Sequence, residues 1–412
     1  MGDLPRGLAW CLLATTVALA CGAKTGLMVD EEEDATPEGD AAPAADLCVE
    51  LPHDERPGAF DLSFAARLAS AEVTLLVDVT GSMAGEIDRI RSTLRDVIVP
   101  GMIRTIPAVR LSVAFFADFP VEPYGYEWDV PFALASVSTD DREATQAAVD
   151  GLPSMFGMDG PESQVEALFQ LATGLGRGRY VPPARCPPGT VGYACYGPVG
   201  ARLVVLFTDA MFHNGVTPWP ARYDPELLDP PPATFDEAVS ALQAAGIRVV
   251  GVWSDPRNEP EDLLAVAAAT GAVTADGAPI VRRIDETGGG LDDGVVDAVR
   301  AFAEERLLDV DVLLEDVPGD DRDAREFVAS VVALRAEPPE GATIGGGRFL
   351  DVRPGTLVVF RLHLRGDTFP PDDETRRYRL RVVLCGDGVI RLQETIVEFV
   401  VPGRLDGGCP AS

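Results

Sequence analysis

The chain has 412 residues, a hydrophobic content of 46% and a formal net charge of −32. This length predicts two or three domains with substantial cores. The acidity argues against nucleic acid as a partner, because a phosphate backbone needs clustered Lys and Arg, and it suits an outward-facing surface that attracts divalent cations. The three histidines, His53, His213 and His363, are far apart, so a zinc enzyme built on clustered ligands is not expected.

Residues 1–20 are predicted to be a signal peptide. Arg6 precedes an apolar run from Leu8 to Ala20 that is too short to cross a bilayer as a helix. The run ends in Ala-Leu-Ala-Cys21, which allows cleavage by an ordinary signal peptidase but also resembles a bacterial lipobox. We expect the second arrangement, with Cys21 lipidated and the protein exported and anchored in the cell envelope or at the cell surface. In a Gram-negative cell this membrane would be the outer one.

Residues 21–46 carry acidic residues, Pro and Ala with little to bury, which predicts a flexible acidic tether. Export places the remaining cysteines in an oxidising compartment. Cys186 and Cys195 flank a Pro/Gly-rich stretch, and we expect a disulfide between them. The other three cysteines, Cys48, Cys385 and Cys409, allow either a Cys385–Cys409 or a Cys48–Cys409 pair.

Residues 47–305 are predicted to form one α/β domain. From about Glu72 onward, the apolar runs VTLLVDV, RLSVAFF, ARLVVLF and IRVVGVW alternate with helical segments. The predicted helices cover Gly85–Val97, Asp141–Leu152, Ser163–Leu175, Phe235–Ala245, Pro260–Thr270 and Leu291–Glu305. Buried strands separated by helices predict a doubly wound, mostly parallel sheet of Rossmann-like type. Ligands of such sheets bind at the carboxyl ends of the strands.

After Glu305 the pattern changes to β-strands. Five alternating or continuous apolar runs are separated by Pro, Gly and Asp. This pattern predicts a small β-sandwich of immunoglobulin-like type over residues 306–403, followed by a tail at 404–412.

The first strand of the α/β domain leads into Asp78-Val-Thr80-Gly-Ser82. Alternate residues of an extended loop project the same way, so these three side chains can direct oxygens at one point. Carboxylate and hydroxyl oxygens suit a hard cation, and Mg²⁺ is the ion expected to bind them. Alternatively, the segment is only the N-cap of the next helix.

Two further loops carry carboxylates toward the same predicted edge. Asp209 follows the strand ARLVVLF, and Asp159 and Glu162 open another helix. Individually, Asp209 would suit a strand-end turn, and the other two would suit the positive end of a helix dipole. Three carboxylate-bearing loops at one sheet edge favour a metal site.

Four motifs in this order, DVTGSM, AFFADFPVEPYG, MDGPESQVEALFQ and RLVVLFTDAMFH, resemble the I-like domain of integrin β subunits, a von Willebrand factor A-type domain. The resemblance covers roughly residues 72–212. It implies a metal-ion-dependent adhesion site that binds Mg²⁺ or Mn²⁺ and leaves one coordination position for an acidic group of the partner. The implied ligands are Asp78, Thr80, Ser82, Glu162 and Asp209.

The resemblance implies two further sites that are less complete. A neighbouring Ca²⁺ site would use Asp118, Asp159, the carbonyl of Pro161 and Glu162. A family Asn at that site is Gly157 here, so one ligand is missing. A third site would retain Glu86 alone, because the second family acid falls on Gly85.

Other features have simpler interpretations. His213 has apolar neighbours and no nucleophile by motif, so it is interpreted as a packed or rim histidine. Trp219 and Trp253 are interpreted as packing residues. Ser82 lacks the nucleophile elbow of a serine hydrolase. The cysteine-bridged loop is either a recognition element at the metal edge or a stapled insertion.

The function expected from these features is non-enzymatic. The resemblance implies a tethered, metal-dependent adhesion module that binds an Asp or Glu of a protein partner. The alternatives are a structural surface lipoprotein whose metal only stabilises the fold, an assembly factor of the kind that acts beside chelatases and ATPases, and an exported metal-dependent hydrolase.

Overall fold

The computed structural model of the protein describes residues 44–51, 58–198, 200–218, 222–365, 373–388, 390–403 and 408–409. The signal peptide, Cys21 and most of the tether and tail lie outside these ranges. The strands are β1 Leu47–Glu50, β2 Ala59–Ala65, β3 Ser70–Asp78, β4 Ala108–Phe116, β5 Ala133–Thr139, β6 Ala201–Thr208, β7 Ile247–Trp253, β8 Val281–Arg283, β9 Leu308–Asp316, β10 Val328–Glu337, β11 Thr343–Gly345, β12 Arg348–Val352, β13 Leu357–Leu364, β14 Arg376–Gly386 and β15 Ile390–Val401. The helices are α1 Ala84–Thr93, α2 Val99–Thr105, α3 Arg142–Asp150, α4 Gln164–Thr173, α5 Phe235–Ala244, α6 Glu261–Ala269 and α7 Leu291–Glu304.

A six-stranded sheet with the order β5-β4-β3-β6-β7-β8 forms the centre of the α/β unit. Its neighbouring strands are parallel except for β5, which runs antiparallel to β4 at the edge. Alternate residues of a strand enter different cores, since Leu75 and Val77 pack with α1, α2 and α7, whereas Leu76 packs with α4, α5 and α6. The predicted α/β class, with a mostly parallel sheet covered on both faces, is therefore confirmed.

The first predicted helix extends further than its sequence pattern indicated. After α1 the chain makes a π-helical turn over Leu94–Ile98 and continues into α2, past the predicted end at Val97. Pro100 is the second residue of α2 and lies just after the end of the π-helical turn. Gly101 permits close packing, because a Cβ added there would lie 2.4 Å from Cγ2 of Val296 on α7.

Two further sheets are built mainly from the C-terminal region. One has the order β1-β15-β14-β9-β12-β11 and the other has the order β10-β13-β2. Aromatic side chains join the sheets face to face: the ring centroids of Phe349 and Phe360 are 5.0 Å apart, and those of Phe60 and Phe399 are 6.2 Å apart. The structure thus contains two packed β-sheets, while the immunoglobulin-like assignment stays a prediction.

The N-terminal strands belong to these two sheets rather than to the α/β unit. Strand β1 pairs in parallel with β15, and β2 pairs antiparallel with β13. A Cys48–Cys409 disulfide lies beside the β1–β15 pair, and it selects the second of the two cysteine arrangements. The predicted domain boundary at residue 47 therefore differs from the structure, because β1 and β2 form their backbone hydrogen bonds with β15 and β13 of the C-terminal sheets.

The cysteine-bridged loop lies at the amino end of the central sheet. Cys186 and Cys195 form the expected disulfide, and Tyr193 N donates to Leu171 O at 2.9 Å near the C-terminal end of α4. Gly197 N donates to Oε1 of Glu72 near the start of β3 at 2.7 Å. Asp78 lies six residues further along β3 than Glu72, roughly 20 Å away. The loop is therefore a disulfide-bridged insertion at the amino edge of the sheet and is not part of the carboxyl edge.

Candidate metal centre

The candidate centre lies where two neighbouring parallel strands end. Asp78 is the last residue of β3, and Asp209 directly follows β6. Strand β3 lies between β4 and β6, so the chain leaves it toward β4 on one side and meets β6 on the other. This is the topological switch point of the sheet, where diverging loops leave a crevice at the carboxyl ends of the strands.

The segment Asp78–Ser82 directs its polar side chains inward. Thr80 donates to Oδ1 of Asp78 from its N–H at 3.0 Å and from its hydroxyl at 2.6 Å. The Ser82 hydroxyl donates to Oδ1 of Asp209 at 3.0 Å, and the Thr208 hydroxyl donates to Oδ2 of Asp78 at 2.7 Å. No side-chain cap bond forms at Thr80 or Met83, where the helical segment begins. The segment thus supplies converging oxygens rather than a helix cap.

Glu162 is held against the same crevice by its backbone. Its N–H donates to Met211 O and its carbonyl accepts from His213 N, both at 2.9 Å, so it is fixed to the loop after β6. Its side chain is buried, and within the described ranges Oε2 has no hydrogen-bond partner. Gly157 leaves room for this side chain, since a Cβ at Gly157 would lie 2.5 Å from Oε1 of Glu162.

The electrostatics of the crevice favour a cation. Burial, followed by repulsion from Asp209, raises the pKa of Asp78 to about 7. Burial and then the charges of Asp78, Asp118, Asp159 and Asp129 raise the pKa of Glu162 well above its ordinary value. Burial also raises the pKa of Asp209. Buried carboxylates of one sign need protons or a cation to offset their charge.

The donor set fits a hard divalent cation. Asp78, Glu162 and Asp209 offer carboxylate oxygens, and Thr80 and Ser82 offer hydroxyl oxygens; Oε2 of Glu162 accepts no hydrogen bond from the described residues. All-oxygen donor sets of this kind suit Mg²⁺ or Mn²⁺. Thr80, Ser82, Glu162 and Asp209 line one cleft, and the buried Asp78 is hydrogen-bonded to Thr80.

A second cluster lies beside the first. Nε2 of His213 is 3.4 Å from Oδ2 of Asp118 and 3.2 Å from Oδ2 of Asp159, and the three side chains are close enough to share a metal ion. The pKa of Asp118 is raised to about 7 by burial, which His213 and a hydrogen bond from Tyr223 oppose. Pro161, whose carbonyl was expected to contribute to a Ca²⁺ site, is buried and lies between Asp159 and Glu162 in the sequence.

His213 has a larger part in the site than its sequence neighbours indicated. Its ring is 2% exposed, stacks on Tyr223 with centroids 4.1 Å apart and meets Tyr124 edge-on at 5.2 Å. It is therefore packed, as expected, but it also contacts both acids of the second cluster. The signal in the sequence was its position four residues after Asp209, on the loop that leaves the same sheet edge.

Glu86 is a single buried carboxylate in the first turn of α1. Its Oε2 has no hydrogen-bond partner in the part of the chain that the structure describes, and its pKa is raised by burial, with smaller contributions from Asp209 and Asp285. A Cβ at Gly85 would lie 3.1 Å from Thr287 O, so the backbone of the loop at 285–288 fills the space where a second acid would stand.

Asp129 is a site residue that the sequence pattern did not reveal. Its buried carboxylate accepts from the backbone N–H groups of Tyr126 at 2.8 Å, Phe156 at 3.3 Å and Gly157 at 3.2 Å. These bonds join the loop after β4 to the loop that carries Asp159 and Glu162. No local motif marks such a residue, because its three donors lie on two separate segments.

Neither a protein-family profile nor a curated protein matches the chain. Among solved structures, it is similar to a von Willebrand factor type A protein from Catenulispora acidiphila, at 12% identity over 86% of this chain and 72% of that one, with a TM-score of 0.39. Proximal thread matrix protein 1 from the mussel byssus has 13% identity over 58% of this chain and 47% of that chain, with a TM-score of 0.35. The pilus adhesin SpaC from Lactobacillus rhamnosus GG, in its open conformation, has 12% identity over 84% of this chain and 45% of that chain, with a TM-score of 0.33.

These similarities are too distant to carry an inference about function, and the fold assignment rests on the sheet order. The chain spans less than half the length of the byssus and pilus proteins. The Cys48–Cys409 and Cys186–Cys195 disulfides indicate an exported or extracellular protein. None of the helices in the described ranges is long and apolar enough to cross a membrane.

Proposed function

We propose that the protein is a divalent-metal-dependent adhesion module. Asp78, Thr80, Ser82, Glu162 and Asp209 hold one Mg²⁺ or Mn²⁺ ion, some of them through water, and the ion accepts a carboxylate of a protein partner. The observation that carries this proposal is the buried Oε2 of Glu162, which has no hydrogen-bond partner among the described residues and lies among like charges. A bound cation would satisfy that oxygen and offset the repulsion.

The different burial of the ligands favours a bound ion with one coordination position that faces solvent. Asp78 and Glu162 are buried, whereas Ser82 is exposed and Asp209 is half-buried. Thr80, Ser82, Glu162 and Asp209 line a surface cleft of about 370 Å³. Mg²⁺ binds six oxygens in near-octahedral geometry and readily keeps some from outside the protein. An ion bound by these side chains would retain a coordination position that faces the cleft.

A binding role fits this cleft better than catalysis. Ser82 donates to Asp209, which is itself an expected metal ligand, and not to a histidine. His213 lies against Asp118 and Asp159. In the described part of the cleft, neither residue forms the nucleophile–base pair that a hydrolase needs. An assembly factor that acts beside an intracellular ATPase is disfavoured by the two disulfides.

The neighbouring cluster fits Ca²⁺ less well than the first site fits Mg²⁺. Ca²⁺ takes six to eight oxygen ligands, whereas Asp118 and Asp159 share their space with a ring nitrogen of His213. We propose that one ion at the first site is sufficient for binding, and that any Ca²⁺ at the second site is secondary.

The test is a selection from a random peptide library displayed on phage, with the full chain immobilised in Mg²⁺ and bound phage eluted with a chelator. The expected peptides contain an Asp or Glu whose replacement by Asn or Gln abolishes binding, and Asp209→Asn protein should fail to enrich them. Asp140→Asn is the matched control, because Asp140 is exposed and remote from the cleft. Peptides that bind equally without metal, or that need no acid, would contradict the proposal.

A structural role for the metal is the competing outcome. It would be indicated if Mg²⁺ raised the melting temperature of the protein while the selection enriched no acid-dependent peptide.

A further inference from the structure

Three aromatic side chains form an exposed cluster beside the candidate metal centre. Tyr126, Trp128 and Phe156 are 40%, 53% and 63% exposed, and among the described residues they are the large aromatic side chains that lie open to solvent. The rings of Tyr126 and Trp128 are parallel with centroids 5.1 Å apart, and Phe156 meets Tyr126 nearly at right angles at 6.4 Å. Exposed apolar groups that are clustered rather than scattered are typical of an interaction surface.

The aromatic cluster is held in place from beneath. The buried carboxylate of Asp129 accepts from the N–H groups of Tyr126, Phe156 and Gly157, so it fixes both loops that carry the rings. Met155 N donates to Val79 O at 2.8 Å, which joins the second loop to the Asp78–Ser82 segment. A surface ordered before binding loses little conformational entropy when a partner arrives.

The aromatic cluster is continuous with the metal centre. Phe156 lines the same cleft as Thr80, Ser82 and Asp209. Its ring lies against the metal-binding loop, because a Cβ added at Gly81 would be 3.9 Å from Cδ1 of Phe156. A partner segment whose carboxylate reached the metal would therefore place a neighbouring residue over Phe156, since one extended residue spans about 3.5 Å.

We propose that the aromatic cluster sets the specificity of the metal centre, by selecting protein segments in which a large aliphatic or aromatic side chain lies within two residues of the metal-bound Asp or Glu. This inference rests on the proposed adhesion function. The perpendicular rings of Tyr126 and Phe156 form a corner that fits a branched or aromatic side chain. A sugar ring stacks instead on one flat aromatic face, and Tyr126 and Trp128 already cover one face of each other.

The test repeats the phage selection with the full chain carrying Phe156→Ser and Trp128→Ser, singly and together. The matched control is Leu175→Ser, which removes an equally exposed apolar side chain from the loop after α4. The peptides selected by the unmutated protein are expected to carry an apolar residue within two positions of the acid. They should bind the double variant at least about tenfold more weakly, as is usual when a central interface contact is removed.

Each variant is also melted with and without Mg²⁺, so that loss of the aromatic contact is separated from loss of the metal. Peptides that depend on acid and Mg²⁺ but bind the variants unchanged would overturn the inference and leave the adhesion function standing. Peptides indifferent to acid or metal would remove the adhesion function itself. Enrichment of no peptide, with Mg²⁺-dependent binding of a galacturonate tetramer that Phe156→Ser abolishes, would reassign the surface to acidic glycans and overturn the inference.

Discussion

Replacing Asp78 by Asn removes one negative charge from the metal centre and leaves the shape of the side chain almost unchanged. The amide oxygen can keep both bonds from Thr80 to Oδ1, and the amide nitrogen can donate to the Thr208 hydroxyl, which at present donates to Oδ2. The substitution should therefore have opposite effects with and without metal. In chelator it should stabilise the protein, and it should abolish the response to Mg²⁺.

The magnitude follows from the pKa of Asp78, which burial and the nearby Asp209 raise from 3.8 to about 7. An acid whose pKa is higher in the folded than in the unfolded state stabilises the fold at pH values below its unfolded-state pKa. This stabilisation is lost as the pH rises to the folded-state pKa. At pH 8 the ionised carboxylate of Asp78 therefore lowers the free energy of unfolding of the metal-free protein by up to roughly 4 kcal/mol. Allowing about 1–2 kcal/mol for rearranged hydrogen bonds, Asp78→Asn should gain roughly 2–3 kcal/mol.

Unfolding in urea at pH 8 measures both effects. The unmutated protein should gain roughly 2.7 kcal/mol in Mg²⁺ at a hundred times its dissociation constant, and Asp78→Asn should gain nothing. The control Asp140→Asn should behave as the unmutated protein in both buffers, because that side chain is exposed. The reasoning is refuted if Asp78→Asn is less stable than the unmutated protein in chelator, or if it still responds to Mg²⁺.

Four further outcomes are expected. The metal-free protein should lose stability between about pH 4 and pH 7, because burial raises the pKa of both Asp78 and Asp118. Saturating Mg²⁺ or Asp78→Asn should reduce the slope of this dependence in urea titrations, and an unchanged slope would exclude Asp78 as one of its causes. The double variant Cys186→Ser, Cys195→Ser should lose roughly 2–3 kcal/mol of folding stability. Its Mg²⁺ affinity, measured by calorimetry, should be unchanged because the loop lies at the opposite sheet edge, and weaker Mg²⁺ binding would contradict that placement. Asp129→Asn should cost about 1–3 kcal/mol and speed amide hydrogen exchange at Phe156 and Gly157, and unchanged exchange would show that Asp129 does not fix these loops. Intact mass of the mature protein should show lipid on Cys21 that Cys21→Ala abolishes, and an unmodified Cys21 would indicate ordinary signal-peptide cleavage.

Local pattern in the sequence predicted the α/β class, which the structure confirms, and the resemblance implied the five residues of the candidate metal centre. Buried apolar runs such as those ending at Asp78 and Thr208 can be recognised without a structure, because a strand covered on both faces must be apolar throughout. Once two such strands are taken as parallel neighbours, their carboxyl ends meet at one edge. The positions of Asp78 and Asp209 then follow from the strand ends alone.

Only the tertiary structure decided which distant segments meet. Val49 pairs with Phe399, and Asp129 binds the backbone of Phe156 and Gly157. His213 meets Asp118 and Asp159, while the cysteine-bridged loop lies at the edge remote from the metal centre. Hydrophobic periodicity reports which face of one element is buried, and it carries no information about contacts between segments far apart in the chain. Those contacts depend on the packing of complete sheets and loops, and they placed the aromatic cluster beside the metal centre.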